Sequence, residues 1–361
     1  MKIDHSNSMN IDVEGVRSLC TKILVGAGVP EPDAMAVVDN LVQADLRGIG
    51  SHGISRMFAY CQRIQDHMIN LDPDIRVIKE TGSTLLVDGD NGLGAVVGIK
   101  AMDLCIKKAK ESGMASCAVR NGNHFGFAAY YAMRALPQDM IGMAFTNAPP
   151  TMAPWGSITP LLGTNPFCYA IPAGRHRPIV LDSATSVVAR GKISLAEIEN
   201  RPIPESWAMD DQGRPTTNAT EALKGTVLPF GSYKGSGISM MIDIFCALLG
   251  GAQFGGHLGN LYNNSETHQE LGFFFSVIDI KSFSDPGIFK ARIDQMIDEI
   301  KNSEKAYGVD EIFVPGEIEF NNEAENLIKG IEIGPGVLKD LNTLRERYGI
   351  DVNPSDYIKI Q

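Results

Sequence analysis

The hydrophobic periodicity of this 361-residue chain changes near residue 75, and that change limits what it can fold into. Before it, apolar residues recur every three or four positions. Val13, Val16, Leu19, Ile23 and Leu24 mark one helix, stopped by Gly26-Ala-Gly28; Ala34, Val37, Val38, Leu41 and Val42 mark a second, opened by Pro30-Glu-Pro32. Residues 60–69 continue the helical pattern until Asp72-Pro73-Asp74 turns the chain. After it, β-type runs over 84–87, 116–119, 141–145, 167–171, 179–181 and 273–280 interleave with helices. Helices return over 288–300 and 337–348, with a short strand expected at 312–314. The expected class is therefore α/β with mixed elements, a helical unit from residues 1–75 with 288–361 and a mixed α/β unit over 76–287.

Smaller features complete the reading. Residues 1–10 are polar and expected to be frayed, and they contain no apolar segment of the secretory kind. Residues 207–216, with the turn Asp210-Asp-Gln-Gly213, read as an exposed hairpin or loop. Residues 238–249 are so uniformly apolar that a buried helix is expected, closing at Gly250-Gly251. No apolar run approaches the roughly 18 residues of a membrane span. A formal net charge of -11 argues against nucleic acid or an anionic membrane as partner. A small anionic substrate needs a local basic pocket. The six cysteines, Cys20, Cys61, Cys105, Cys117, Cys168 and Cys246, show no C-x-x-C pairing, which points to a reducing, cytoplasmic setting.

Chemistry is concentrated in a few loops. The densest is Asp45-Leu-Arg-Gly-Ile-Gly-Ser-His-Gly-Ile-Ser-Arg-Met, directly after the second helix. Its glycines allow close backbone approach, and Ser51, His52 and Arg56 supply a hydroxyl, a proton carrier and a carboxylate fork. A helix stop followed by a polar turn explains the same residues equally well. Arg120-Asn-Gly-Asn-His124-Phe-Gly126 places a second histidine between a strand and a helix. Gly89-Asp-Asn-Gly92-Leu-Gly94 also lies between strand and helix, but its spacing is not G-x-G-x-x-G, and a structural turn is the preferred reading. No P-loop, H-E-x-x-H or paired Cys/His spacing is present, so no metal site is expected. A hydrolase built on Ser51 would need a nucleophile elbow, which Gly50-Ser-His-Gly53 does not provide.

Taken in order, Asp45-Leu-Arg-Gly-Ile-Gly-Ser-His-Gly, Asn123-His-Phe-Gly, Gly163-Thr-Asn-Pro, Leu181-Asp-Ser-Ala-Thr-Ser and Tyr233-Lys-Gly-Ser-Gly resemble the motifs of the type 2 malate/L-lactate dehydrogenase family. The resemblance runs from the first helix to Pro315-Gly-Glu317. It implies a non-Rossmann nicotinamide-binding domain with a mixed, partly antiparallel sheet, NAD or NADP as cofactor, and a homodimer or higher homo-oligomer with its active site near a subunit boundary. The implied reaction is hydride exchange with a small 2-hydroxy or 2-oxo carboxylic acid, malate- or lactate-like. Reduction of a cyclic imino acid on the same fold is the alternative.

The roles it implies fall on particular residues. His124 and His52 are the catalytic candidates, with His124 preferred as general acid/base. Arg56, Ser51 and Asn147 are substrate-binding candidates, and Arg47 is a weaker candidate for the carboxylate clamp. Thr164, Asn165, Asp182, Ser183, Ala184, Lys234, Gly235, Pro315, Gly316 and Glu317 are the cofactor-binding candidates. Asp182 reads equally as a cap. The basic loop Arg175-His-Arg177 is either a solvated turn or a partner for the extra phosphate of NADP. Phe254-Gly-Gly-His257 stands where some relatives carry an arginine for a larger substrate, which points away from ureidoglycolate.

Overall fold

The computed structural model describes residues 8–262, 267–352 and 354. In chain order it contains β1 (Met9–Ile11), α1 (Val13–Gly26), α2 (Glu31–Leu46), α3 (Met57–Gln65), β2 (Arg76–Glu80), β3 (Thr84–Asp88), α4 (Gly94–Ser112) and β4 (Met114–Gly122). Then come α5 (Ala129–Ala132), β5 (Met140–Thr146), β6 (Phe167–Ile171), β7 (Ile179–Ser183), α6 (Arg190–Ile198), β8 (Ala208–Met209), α7 (Ala219–Lys224) and β9 (Thr226–Val227). The chain ends with α8 (Tyr233–Asp243), β10 (Leu271–Asp279), α9 (Pro286–Lys301), α10 (Glu317–Lys329), β11 (Ile331–Ile333) and α11 (Pro335–Arg347).

Seven strands form the main sheet in the order β2-β3-β4-β10-β5-β6-β7. Only β3 and β4 run parallel, joined by the crossover helix α4; every other pairing is antiparallel. This is a mixed sheet with a central strand drawn from late in the chain. Alternation along β10 sends Phe273 and Phe275 to the face covered by α4 and α5, where Phe125 and Tyr131 stack with them. Phe274 points the other way, toward Phe145, Ile242 and Cys246. A separate core joins α1, α2, α3 and α11, and a third, smaller one lies under α6 and α7.

Local chemistry explains the helix starts. Asp12 caps α1 by accepting the Glu14 and Gly15 amides at 3.0 and 3.2 Å. Asp285 caps α9 through the Ile288 amide at 3.0 Å, with Pro286 in the first turn.

Several expectations need correction. Residues 8–10 are not frayed, because β1 pairs antiparallel with β11, Met9 opposite Ile333; residues 1–7 lie outside the described residues. The helix expected to reach residue 69 ends at Gln65, with His67 in the left-handed region at φ 57°. Residues 312–314 form no strand; the next residue, Pro315, lends its carbonyl to the Val180 amide of β7. By contrast, the turn at 210–213 does close a short hairpin, the Asp210 amide donating to the Arg214 carbonyl and the Thr216 amide to that of Ala208, while β8 also pairs with β9.

The apolar helix over 238–249 is buried on one side only. Ile242, Cys246 and Ala247 face the sheet, whereas Met240, Met241, Phe245, Leu248 and Leu249 are exposed. Among the described residues nothing covers that second face. Among the described residues no helix is long and apolar enough to cross a membrane.

Candidate active site

The glycine-rich stretch after α2 is wound around one carboxylate. Asp45, in the last turn of α2, accepts the Ile54 amide at 2.7 Å, and burial pushes its pKa up to about 7. A Cβ on Gly53 would lie 2.0 Å from Asp45 Oδ1, so only glycine lets the backbone close over the acid. Residues 50–56 follow as two 3-10 turns, tied by the Ser55 hydroxyl donating to the Gly50 carbonyl at 2.8 Å.

These turns present the expected side chains. Ser51 Oγ and His52 Nδ1 are 2.9 Å apart. The His52 ring stacks on that of His124, with centroids 5.6 Å apart and planes 18° from parallel. Arg56 lies over the Tyr262 ring at 5.3 Å, forms no ion pair with any described residue, and has a buried Nε without an acceptor. A largely desolvated guanidinium with no carboxylate is an anion site waiting for its counter-charge. Arg47 is different: it is paired with Glu323 at 2.8 Å and stacked on Phe320 at 4.2 Å. It is structural, not a substrate clamp.

His124 is fixed from four sides. Buried Asn123 donates to the carbonyls of Asn91 and Gly92, both at 2.9 Å, anchoring the loop to the turn between β3 and α4. That turn is the Gly89–Gly94 segment, and Gly94 is needed there because its Cβ would sit 2.2 Å from the Asn123 carbonyl. The His124 amide donates to Gln269 Oε1 at 3.0 Å, and Tyr60 Oη lies 2.7 Å from His124 Nδ1. Sequence reasoning missed Asp45, Tyr60 and Gln269 as site residues. Tyr60 had a local signal, since it follows Arg56 by four residues at the start of α3. Gln269 had none.

Burial, then the charge of Arg56, pushes the His52 pKa down to about 4. Burial, then His52 and Arg56, holds His124 well below the ordinary imidazole value. Both rings are neutral at neutral pH and able to take a proton. The short Ser51–His52 contact resembles a nucleophile–base pair, but no carboxylate hydrogen-bonds His52 among the described residues.

The second group of candidates gathers around β7. Asp182 Oδ2 accepts the Ala129 amide at 2.7 Å, so it caps α5 and ties the end of β7 to the segment leaving His124. Burial raises its pKa to about 6. The Thr164 carbonyl accepts the Thr185 amide at 2.8 Å; the Phe230 carbonyl accepts the Gly235 amide at 3.0 Å, and Phe230 in turn donates to Thr185. Ser183 Oγ donates to the Ala184 carbonyl at 2.9 Å. Pro315 and Gly316 pack on Val180 of the same strand. Lys234 is exposed and has no acidic partner among the described residues. A free cation, a half-open carboxylate and closely approaching backbone suit the phosphates, hydroxyls and amide of a nicotinamide dinucleotide.

Other candidates are committed to the scaffold. Asn147 donates to the Gln253 carbonyl at 2.8 Å and accepts the Gly272 amide at 3.0 Å, so its buried amide is engaged by the backbone. Asn165 is likewise buried between the Ala148 amide and the Ser239 carbonyl. Glu317 binds Lys301 and the Val314 amide. Arg175 and His176 both engage Asp298, and Arg177 engages Asn321 at 3.1 Å, so this basic loop, though exposed at Arg175 and Arg177, is tied to α9 and α10.

A family model described as malate/L-lactate dehydrogenase matches residues 11–342. The chain is 41% identical over 353 residues to a malate dehydrogenase of Pyrococcus horikoshii, covering 96% of this chain and 97% of that protein. It is 42% identical over 351 residues to an L-sulfolactate dehydrogenase of Methanocaldococcus jannaschii, covering 97% and 100%. The solved structure of sulfolactate dehydrogenase from Methanocaldococcus jannaschii superposes with a TM-score of 0.90 at 42% identity, covering 97% of this chain and 100% of that one.

Proposed function

The chain belongs to the malate/L-lactate dehydrogenase family, and from that premise we propose that it works as an NAD(P)-dependent dehydrogenase of a small 2-hydroxy acid of malate or lactate type. The observation that carries this reading is the unpaired guanidinium of Arg56 beside two stacked, neutral imidazoles. Arg56 holds the substrate carboxylate in a two-point fork, which fixes the neighbouring carbinol carbon. His124 takes the hydroxyl proton in oxidation and returns it in reduction. His52, steadied by Ser51, orients the hydroxyl.

The bound nicotinamide supplies the hydride acceptor. Asp182, Ser183, Ala184, Thr164, Lys234, Gly235, Pro315 and Gly316 would hold it, with Lys234 answering a phosphate and backbone groups the rest. Most of these residues lie on or around β7, whose neighbour β6 runs antiparallel to it, and the cofactor would be held there in place of a doubly wound parallel sheet. The division into a 1–75 with 288–361 unit and a 76–287 unit is proposed on the same basis.

A homodimer is the proposed assembly, supported by the uncovered apolar face that runs from Met240 to Leu249. All six cysteines are buried and free, which supports a reducing, cytoplasmic location.

The test is a panel of 2-hydroxy acids, 2-oxo acids and cyclic imino acids assayed with each of NAD(H) and NADP(H) by nicotinamide absorbance. Turnover of malate, sulfolactate or lactate is the expected result. Turnover of cyclic imines alone would move the assignment to C=N reduction, and no turnover with either cofactor would overturn it.

A further inference from the structure

Beside His124 lies a cavity of about 10 Å³ lined by Tyr60, Asn123, His124 and Gln269 together with apolar groups such as Leu93 and Leu261, and not by His52. Two polar atoms at its wall lack partners although their residues are almost completely buried. Asn123, 2% exposed, spends its Nδ2 on Asn91 and Gly92 but leaves Oδ1 unpaired. Gln269, 1% exposed, spends Oε1 on the His124 amide but leaves Nε2 unpaired. A buried acceptor or donor left unsatisfied is costly and rare in a folded protein, so two around one small cavity require an explanation.

One molecule answers both. A cavity of this size begins to hold a single water, and an internal water makes about three hydrogen bonds. It would accept from Gln269 Nε2–H, donate to Asn123 Oδ1, and accept from the third polar group on the wall, the Tyr60 hydroxyl.

That third bond has a chemical consequence. Tyr60 Oη is 2.7 Å from His124 Nδ1, and its only other acceptor among the described residues is the His124 carbonyl, at a distant 3.5 Å. Without another acceptor the hydroxyl gives its proton to Nδ1, which forces the ring proton onto Nε2. Nε2 is the nitrogen left to face the substrate, and a base needs a lone pair there. If water takes the tyrosine proton, Oη is free to accept Nδ1–H. The competing Gly126 amide lies 3.4 Å from Nδ1 and offers only a long contact.

We propose that Asn123, Gln269 and Tyr60 form a binding site for one internal water, and that this water holds His124 in the Nδ1–H tautomer with its Nε2 lone pair toward the substrate. This rests on His124 being the proton carrier. Tyr60 and Gln269 are positioning residues in it. They act through the imidazole.

Two readouts on the cofactor-free enzyme test it without an activity assay. A crystal structure that resolves internal waters should show a peak within hydrogen-bond distance of Asn123 Oδ1, Gln269 Nε2 and Tyr60 Oη. Its absence, with other internal waters visible, overturns the site. In solution, imidazole ¹⁵N shifts should report His124 as Nδ1–H, and Tyr60→Phe should lose that signal in favour of Nε2–H, since only the Gly126 amide then faces Nδ1. A wild-type ring already in the Nε2–H form overturns the tautomer assignment even if the water is present. Failure of every hydroxy acid in a turnover assay would change neither readout, so the two proposals fail separately.

Discussion

The imidazole rings of His52 and His124 lie face to face, 5.6 Å between centroids and 18° from parallel, although 72 positions separate them in the chain. Two stacked imidazoles beside an arginine cannot both be charged at low cost: Arg56 lowers the proton affinity of both rings, and His52 lowers that of His124 as well. The pair therefore behaves as one proton acceptor with a partner that tunes it.

The roles within the pair are separable by substitution. His124→Ala should lower kcat about a hundredfold or more, the usual scale for losing a general acid/base. His52→Ala should cost less and fall partly on KM. Steady-state kinetics of both variants decides this, and the opposite order would exchange their roles.

The pH profile follows from the direction of the shifts. A lowered pKa keeps the acceptor unprotonated as the pH falls through 6.5, the ordinary imidazole value, so kcat/KM for oxidation should hold there and decline only deeper into acid. Arg56→Gln removes a charge that depresses both rings and should move that acid limb to higher pH. For stability the sign is the same. Between about 4 and 6.5 the folded His52 binds fewer protons than the unfolded one, so its contribution is complete above that window and lost as the pH falls through it.

Arg56→Lys keeps the charge and removes the fork. Losing one charge-assisted hydrogen bond costs about 1.5–3 kcal/mol, so KM should rise roughly tenfold to a hundredfold while kcat changes much less. An unchanged KM in initial-rate measurements would take Arg56 out of the carboxylate site.

Gly53→Ala should destabilise the fold by about 1–3 kcal/mol, as overpacking does, and abolish activity, because the added methyl would meet the Asp45 carboxylate. Thermal melts across pH supply a second check. Asp45 is raised to about 7, so its contribution is full at low pH and is lost as the pH rises through neutrality. Asp45→Asn should flatten that alkaline decline.

Leu248→Glu together with Leu249→Glu should yield a monomer by sedimentation or light scattering, since these side chains are 54% and 60% exposed on the uncovered face. A monomeric wild-type protein would remove the dimer proposal.

Much of the architecture was legible because it is periodic. The pairs α1 and α2, the strands from β3 to β7 and the helix α9 all announce themselves through apolar spacing and Gly or Pro punctuation. The short strand β1 was not legible, because three residues carry no period and its partner is β11 at the other end of the chain. The exposed face of α8 was misread for a related reason: hydrophobicity shows that a surface is to be covered, not which chain covers it.

At the site, Ser51, His52, Arg56 and His124 stood out through residue type. Asn147 and Asn165 stood out equally, yet their amides serve the backbone. Residue type cannot tell an amide that greets a ligand from one that closes a loop. The supporting groups Tyr60 and Gln269 come from other parts of the chain and become site residues only when the fold delivers them.

The place of β10 also sets an order of events during synthesis. Phe275 is paired on one side with Cys117 and on the other with Ala144, so β4 and β5 lie a strand apart until residues 271–279 arrive. A chain still growing toward residue 271 holds two open sheet edges facing a slot that only its own later segment can fill. Gln269, the acceptor for the His124 amide 145 positions earlier, arrives just ahead of that strand. Nascent chains stalled before this point would carry His124 without its support, with both edges open to neighbours; chaperone dependence and aggregation of early truncations follow from the strand order itself.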